Sequence, residues 1–105
     1  MQNFAIIGLG RLGLAMLNSL SKRQLDVLVI DHDEDRIQMA RDLATKAVKA
    51  DAVNFDLLQE VFPENVHCAI VDLGHEMMAR SILVTNYLHK LKVPHIVVAA
   101  ANTDH

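Results

Sequence analysis

Phe4-Ala5-Ile6-Ile7-Gly8-Leu9-Gly10-Arg11-Leu12-Gly13 decides the fold. Phe4 to Ile7 is a short apolar run of the kind that forms a buried parallel strand, and it ends at a glycine. Leu12, Ala15, Met16, Ser19 and Leu20 then recur at helical spacing, with Lys22 and Arg23 expected in the last turn, where cations suit the helix dipole. Gly8, Gly10 and Gly13 form a GxGxxG pattern. Alone the string is weak, but between a strand and a helix it predicts a loop whose backbone comes close to a phosphate. Gly8 allows the tight turn, Gly10 removes a blocking side chain, and Gly13 lets helix and strand pack closely. The N–H groups and positive dipole of the helix start, from Arg11 and Leu12 onward, face the phosphates. Arg11 either clamps a phosphate or is an exposed first-turn residue.

Working outward, Val27 to Ile30 reads as a second strand ending at Asp31. A helix capped near Asp33 runs through Ile37, Ala40, Leu43 and Ala44. Lys46 to Ala50 is a third strand, Asn54 caps a brief helix that Pro63 stops, and Cys68 to Asp72 is a fourth strand. A longer helix covers about Glu76 to Leu91, Val93-Pro94 breaks it, and His95 to Ala100 is a fifth strand. Strict β/α alternation with short connections predicts an α/β, Rossmann-like, doubly wound parallel sheet of order 3-2-1-4-5. In that order the strand ends at Gly8, Asp31, Ala50 and Asp72 surround one crevice.

Asp31 lies at the end of the second strand, roughly 20 residues beyond the loop, where a carboxylate accepts from ribose hydroxyls and repels a 2′-phosphate. Its other reading is helix capping together with Asp33. His32 follows it at the crevice edge. Asp51 and Ala52 come after the third strand, where Asp51 either accepts from an adenine amino group or forms a turn. Beyond the fourth strand, Gly74 lets the backbone approach a ligand, and Glu76 either holds a phosphate-bound metal or sits in a helix first turn. The six histidines show no HxxxH spacing and read as surface or edge residues; Cys68 reads as a buried small hydrophobe.

Composition bounds the function. A chain of 105 residues holds one core. Ten Lys and Arg against 13 Asp and Glu give no electrostatic reason to bind nucleic acid. The single cysteine points to no disulfide and to the cytoplasm, and no apolar run is long enough for direct membrane insertion. No orienting partner for a catalytic histidine is legible, so an enzyme is not expected. The alternative class is the cofactor half of an NAD-dependent dehydrogenase without its catalytic domain.

The glycine loop with Arg11 inside it, Val29-Ile30-Asp31, Lys49-Ala50-Asp51-Ala52, and Leu73-Gly74 before a long helix together resemble the RCK domain, also called KTN or TrkA-N, over essentially the whole chain. The resemblance implies a cytoplasmic regulatory domain that binds NAD/NADH or ATP/ADP/AMP and acts on a membrane-embedded potassium transporter, channel or antiporter. It places the phosphate loop at Gly8, Gly10, Arg11 and Gly13, the ribose acid at Asp31, the adenine neighbour at Asp51, and the position beyond the fourth strand at Glu76. Asp72 and Arg80 depart from its pattern, which has a small or apolar residue at the first and a small hydroxyl residue at the second. It also implies that residues 1–105 are a single domain ending after the fifth strand, short of the family's later elements.

The Glu76 to Leu91 helix is apolar on more than one side. Met77, Val84, Leu88 and Leu91 suffice to pack on the sheet, while Met78 and Ile82, and Leu83 and Tyr87, lie elsewhere. That surplus leads us to expect a homo-oligomer through this helix.

Overall fold

The computed structural model describes residues 3–74 and 77–99. Five strands and four helices alternate: β1 (Asn3–Ile7), α1 (Arg11–Ser21), β2 (Asp26–Asp31), α2 (Glu34–Ala40), β3 (Lys46–Lys49), α3 (Phe55–Val61), β4 (Val66–Val71), α4 (Met78–Lys90) and β5 (His95–Val98). The sheet order is β3-β2-β1-β4-β5, all parallel, as the alternation predicts.

The central strands are apolar at nearly every position because both of their faces are covered. Ala5, Ile7, Leu28, Ile30, Ala69 and Val71 pack with Leu58, Val84 and Leu88 on the α3/α4 side. Their alternating neighbours Ile6, Val27, Val29 and Ile70 pack with Leu17, Leu20, Ile37 and Ala40 on the α1/α2 side. Each side chain set is fully out of water, so the two-residue period of the strands is realised as two separate cores.

Element ends differ from expectation where a local hydrogen bond outcompetes periodicity. The second helix stops at Ala40 rather than Ala44, because the Thr45 N–H is drawn to the Val27 carbonyl at 2.9 Å and residues 41–44 must turn to reach it. Leu43 and Ala44 still pack on the core, which is why the apolar spacing continues past the helix. Lys22 and Arg23 lie beyond the last turn of α1, with Lys22 as its C-cap and Gln24 at φ 57° reversing the chain. The fourth strand starts at Val66 and stops at Val71. Asn54 caps α3 as expected, accepting from the Leu57 N–H at 3.3 Å.

The faces of α4 are also corrected. Ser81, Val84 and Leu88 face the sheet, but Met77 precedes the helix and is exposed. Tyr87, expected on an outer face, stacks on Phe55 of α3 with ring centroids 4.5 Å apart, and its hydroxyl donates to the Phe55 carbonyl at 3.2 Å. Met78, Ile82 and Leu83 are about half exposed; Met78 and Ile82 lie beside Val98 of the edge strand β5, whereas Leu83 lies on another side of the helix and Val97 on the opposite face of the sheet. No helix among the described residues is long and apolar enough to cross a membrane.

Candidate functional site

The sheet ladder continues for one residue past several strand ends, and those extra bonds assemble the crevice. Gly8 donates to the Ile30 carbonyl at 2.8 Å, Ala50 to the Asp31 carbonyl at 3.0 Å, and Asp72 to the Ile7 carbonyl at 2.8 Å. Gly8, Asp31, Ala50 and Asp72 therefore meet at the carboxyl edge, between the two halves of the sheet, where open α/β sheets bind ligands.

Gly8 has φ 97°, a left-handed conformation, and a Cβ there would strike the Asp72 carbonyl. Gly13 packs against the Gly8 carbonyl with no room for a side chain. Gly10 is the N-cap of α1 and supplies no side-chain cap; no acidic residue stands in the first turn. The expected reason for a bare Gly10 was a phosphate. The structure gives another: a Cβ would fall 2.5 Å from the Asp72 Cγ. Asp72 is almost buried, and its Oδ2 accepts from the Gly13 N–H at 3.0 Å.

Asp31 is 4% exposed, and a polar group so placed needs hydrogen-bond partners within the fold. Oδ2 accepts from the Leu9 N–H and Oδ1 from the Asp33 N–H, each at 2.8 Å. Arg36 Nη1 stands 3.9 Å from Oδ2, and the exposed His32 places Nδ1 3.7 Å from Oδ1. Each carboxylate oxygen has a second lone-pair direction left for a ribose hydroxyl. Sequence reading missed Arg36. The available signal was Asp33: as N-cap of α2 it puts residue 36 on the first turn, beside the end of β2.

Asp33 accepts from the N–H groups of Arg36 at 3.2 Å and Asp35 at 2.8 Å. The Arg36 bond, opposed by partial desolvation and aided by the Asp35 bond, holds its carboxyl below the usual carboxylate range. Capping of α2 thus falls to Asp33, while Asp31 stands at the end of β2 and accepts from the N–H of that cap residue.

Asp31 lines a small recess of about 30 Å³ with Gly8, Arg36, Ala50 and Asp72, and next to it, sharing His32, Ala52 and Leu73, a cavity of about 210 Å³ is lined by those three with Asp51, Met77 and Arg80. Asp51 is not simply poised for a base. Its Oδ1 accepts from Arg80 Nη1 at 2.6 Å and from the Val53 N–H at 3.1 Å, so it forms a turn and an ion pair at the cavity mouth. Gly74 has φ 99°, with open space where a Cβ would stand. Arg11 opens α1 and is exposed, whereas the Leu12 side chain turns inward onto the α1/α2 core. Glu76 and His75 lie outside the described residues. Cys68 is half-buried on β4, and that burial pushes its thiol pKa up. Among the described residues no three of His, Cys, Asp and Glu gather as metal ligands.

Comparison with known proteins gives concordant matches. The family model of the TrkA-N domain matches residues 4–105. The chain is 36% identical over 104 residues to Ktr system potassium uptake protein C of Bacillus subtilis (strain 168), covering 99% of this chain and 47% of that protein. It is 35% identical over 104 residues to Ktr system potassium uptake protein A of the same organism, covering 99% and 46%. With Ktr system potassium uptake protein A of Vibrio alginolyticus it shares 32% over 84 residues, 80% of this chain and 38% of that protein. The chain spans a little under half the length of the first two relatives.

Proposed function

The chain belongs to the TrkA-N domain family, and from that premise we propose that it is an adenine-nucleotide-binding regulatory domain, not an enzyme, of a potassium transport system. The observation that carries the ligand part is Asp31, a nearly buried carboxylate at the end of β2 with acceptor capacity left over, which lines a small recess sharing His32, Ala52 and Leu73 with the larger cavity next to it. That is the group and the place that take a ribose. The relatives' names, all of potassium uptake proteins, support the transport part.

The residues present fit one half of such a ligand. Asp31 would hold the ribose, and Ala52 and Leu73 offer apolar surface to a base. NAD/NADH and ATP/ADP/AMP share this adenosine half. The other half is less well matched, since Asp72 occupies the start of α1.

Regulation follows from differential binding. A ligand that contacts β2, the turn after β3 and α4 together stabilises one arrangement of the parts that line the crevice, and a neighbouring membrane-embedded transporter, channel or antiporter responds to that arrangement. In this reading the domain works at the cytoplasmic face. The exposed apolar patch of Met78, Ile82 and Val98, with Leu83 exposed on another side of the same helix, supports assembly into a homo-oligomer through α4.

Calorimetric titration with NAD, NADH, ATP, ADP, AMP and adenosine, each separately, tests the ligand part. Binding of at least one, lost in Asp31→Ala, is expected. Absence of binding to all six removes it.

A further inference from the structure

On the nucleotide reading just given, we infer that Asp72 sets the ligand specificity of the crevice: its carboxylate takes the place of a phosphate at the start of α1, so the site selects its ligand through the adenosine half.

A glycine-rich loop attracts phosphate when the first N–H groups of the following helix are free and the positive end of the dipole is uncompensated. Here α1 supplies neither a side-chain cap nor an acidic first-turn residue of its own. The compensation arrives from 59 residues away. Asp72 Oδ2 accepts from the Gly13 N–H at 3.0 Å, and the carboxylate fills the space over Gly10. Asp31 Oδ2 takes the Leu9 N–H at 2.8 Å. Two N–H groups of the loop are thus held by the chain's own carboxylates, both nearly buried.

The consequence is electrostatic as well as steric. A phosphate oxygen cannot approach Gly10 without meeting the Asp72 carboxylate, and two like charges at such range repel strongly where little water intervenes. The crevice still offers a ribose acceptor and apolar surface, so the adenosine portion keeps its contacts while each added phosphate gains nothing at the loop. Arg11 is exposed at the start of α1, and among the described residues it forms no ion pair with Asp72.

The test is calorimetry on the whole chain, without divalent cations, using adenosine, AMP and ADP against the unaltered protein, Asp72→Ala and Asp72→Asn. Asparagine keeps an acceptor for the Gly13 N–H while removing the charge, which guards against misfolding of the alanine variant. The unaltered protein should bind ADP no more tightly than adenosine, and the ADP-over-adenosine affinity ratio should rise at least tenfold in Asp72→Asn. An ADP preference of tenfold or more in the unaltered protein, or an equal ratio in all three proteins, overturns the specificity role and leaves the nucleotide reading standing. A preference for ADP that appears only with Mg²⁺ and vanishes in Asp72→Asn also overturns it, assigning the carboxylate to a phosphate-bound cation. If none of the three proteins binds adenosine, AMP or ADP, the specificity role falls, and the nucleotide reading falls with it only if NAD, NADH and ATP also fail to bind.

Discussion

Arg80 Nη1 lies 2.6 Å from Asp51 Oδ1, which ties the first turn of α4 to the turn after β3 across the mouth of the cavity. Both side chains are about half exposed, so solvent screens the pair and holding two side chains in one geometry offsets much of its attraction. The pair therefore matters more for the shape of the cavity than for the stability of the fold.

Arg80→Ala is expected to lower stability by less than about 1 kcal/mol in urea unfolding. The same variant should change adenosine affinity, because it opens the mouth and frees the Asp51 carboxylate. A destabilisation above about 3 kcal/mol would mean that the pair organises α4 itself, contrary to its exposure.

Tyr87 makes a different kind of tie. Its ring lies nearly parallel to Phe55, at 12°, and its hydroxyl donates to the Phe55 carbonyl. Tyr87→Phe should keep the stack and lose about 0.5–1.5 kcal/mol for the hydrogen bond. Tyr87→Ala removes ring and hydrogen bond together and should cost about 2–4 kcal/mol, since a half-buried aromatic gives up less than a fully buried one. Equal losses in the two variants would show that the stack contributes nothing.

What was legible in the sequence is the part written in local pattern. Strand and helix alternation and the glycine loop place Gly8, Asp31 and Asp51 at one edge, because Gly8 and Asp31 close apolar runs, Asp51 follows the third strand, and topology alone brings strand ends together. What was not legible depends on side chains meeting across the sheet. Gly10 reads as a phosphate's neighbour, and only the fold brings Asp72 over it. Arg80 and Asp51 likewise pair over a separation that no local spacing encodes. Tyr87 looks like a surplus apolar residue on α4 until Phe55 is placed beside it.

Asp33 gives a pH prediction. Its carboxylate accepts from the N–H groups at the start of α2, above all that of Arg36, and its folded pKa is depressed. A depressed carboxyl contributes stability that is present above the unfolded pKa and is lost as pH falls through the folded pKa. NMR titration should accordingly place the Asp33 carboxyl midpoint below that of an unstructured peptide. The Asp35 and Arg36 amide resonances should shift with the same midpoint, as the cap opens in acid. Asp33→Ala should abolish the midpoint seen at those amides; its persistence would assign the transition to another carboxyl.

Gly10 and Asp72 offer the sharpest structural test, because a Cβ on Gly10 collides with a side chain whereas one on Gly8 collides with backbone. Gly8→Ala must also hold φ 97°, which L side chains rarely adopt, so it should lose at least about 2 kcal/mol whatever stands at position 72. Gly10→Ala pushes on the Asp72 carboxylate, which can move only by giving up the Gly13 N–H. Its cost should fall when Asp72→Ala is already present, giving a coupling of about 0.5–3 kcal/mol in a double-mutant cycle measured by chemical unfolding. Gly8→Ala should show no such relief, since the Asp72 carbonyl remains after the side chain is gone. Additive losses for Gly10→Ala and Asp72→Ala would mean that the carboxylate does not occupy the space over the loop, and a cycle in which Gly8 and Gly10 behave alike would place the constraint in the loop backbone instead.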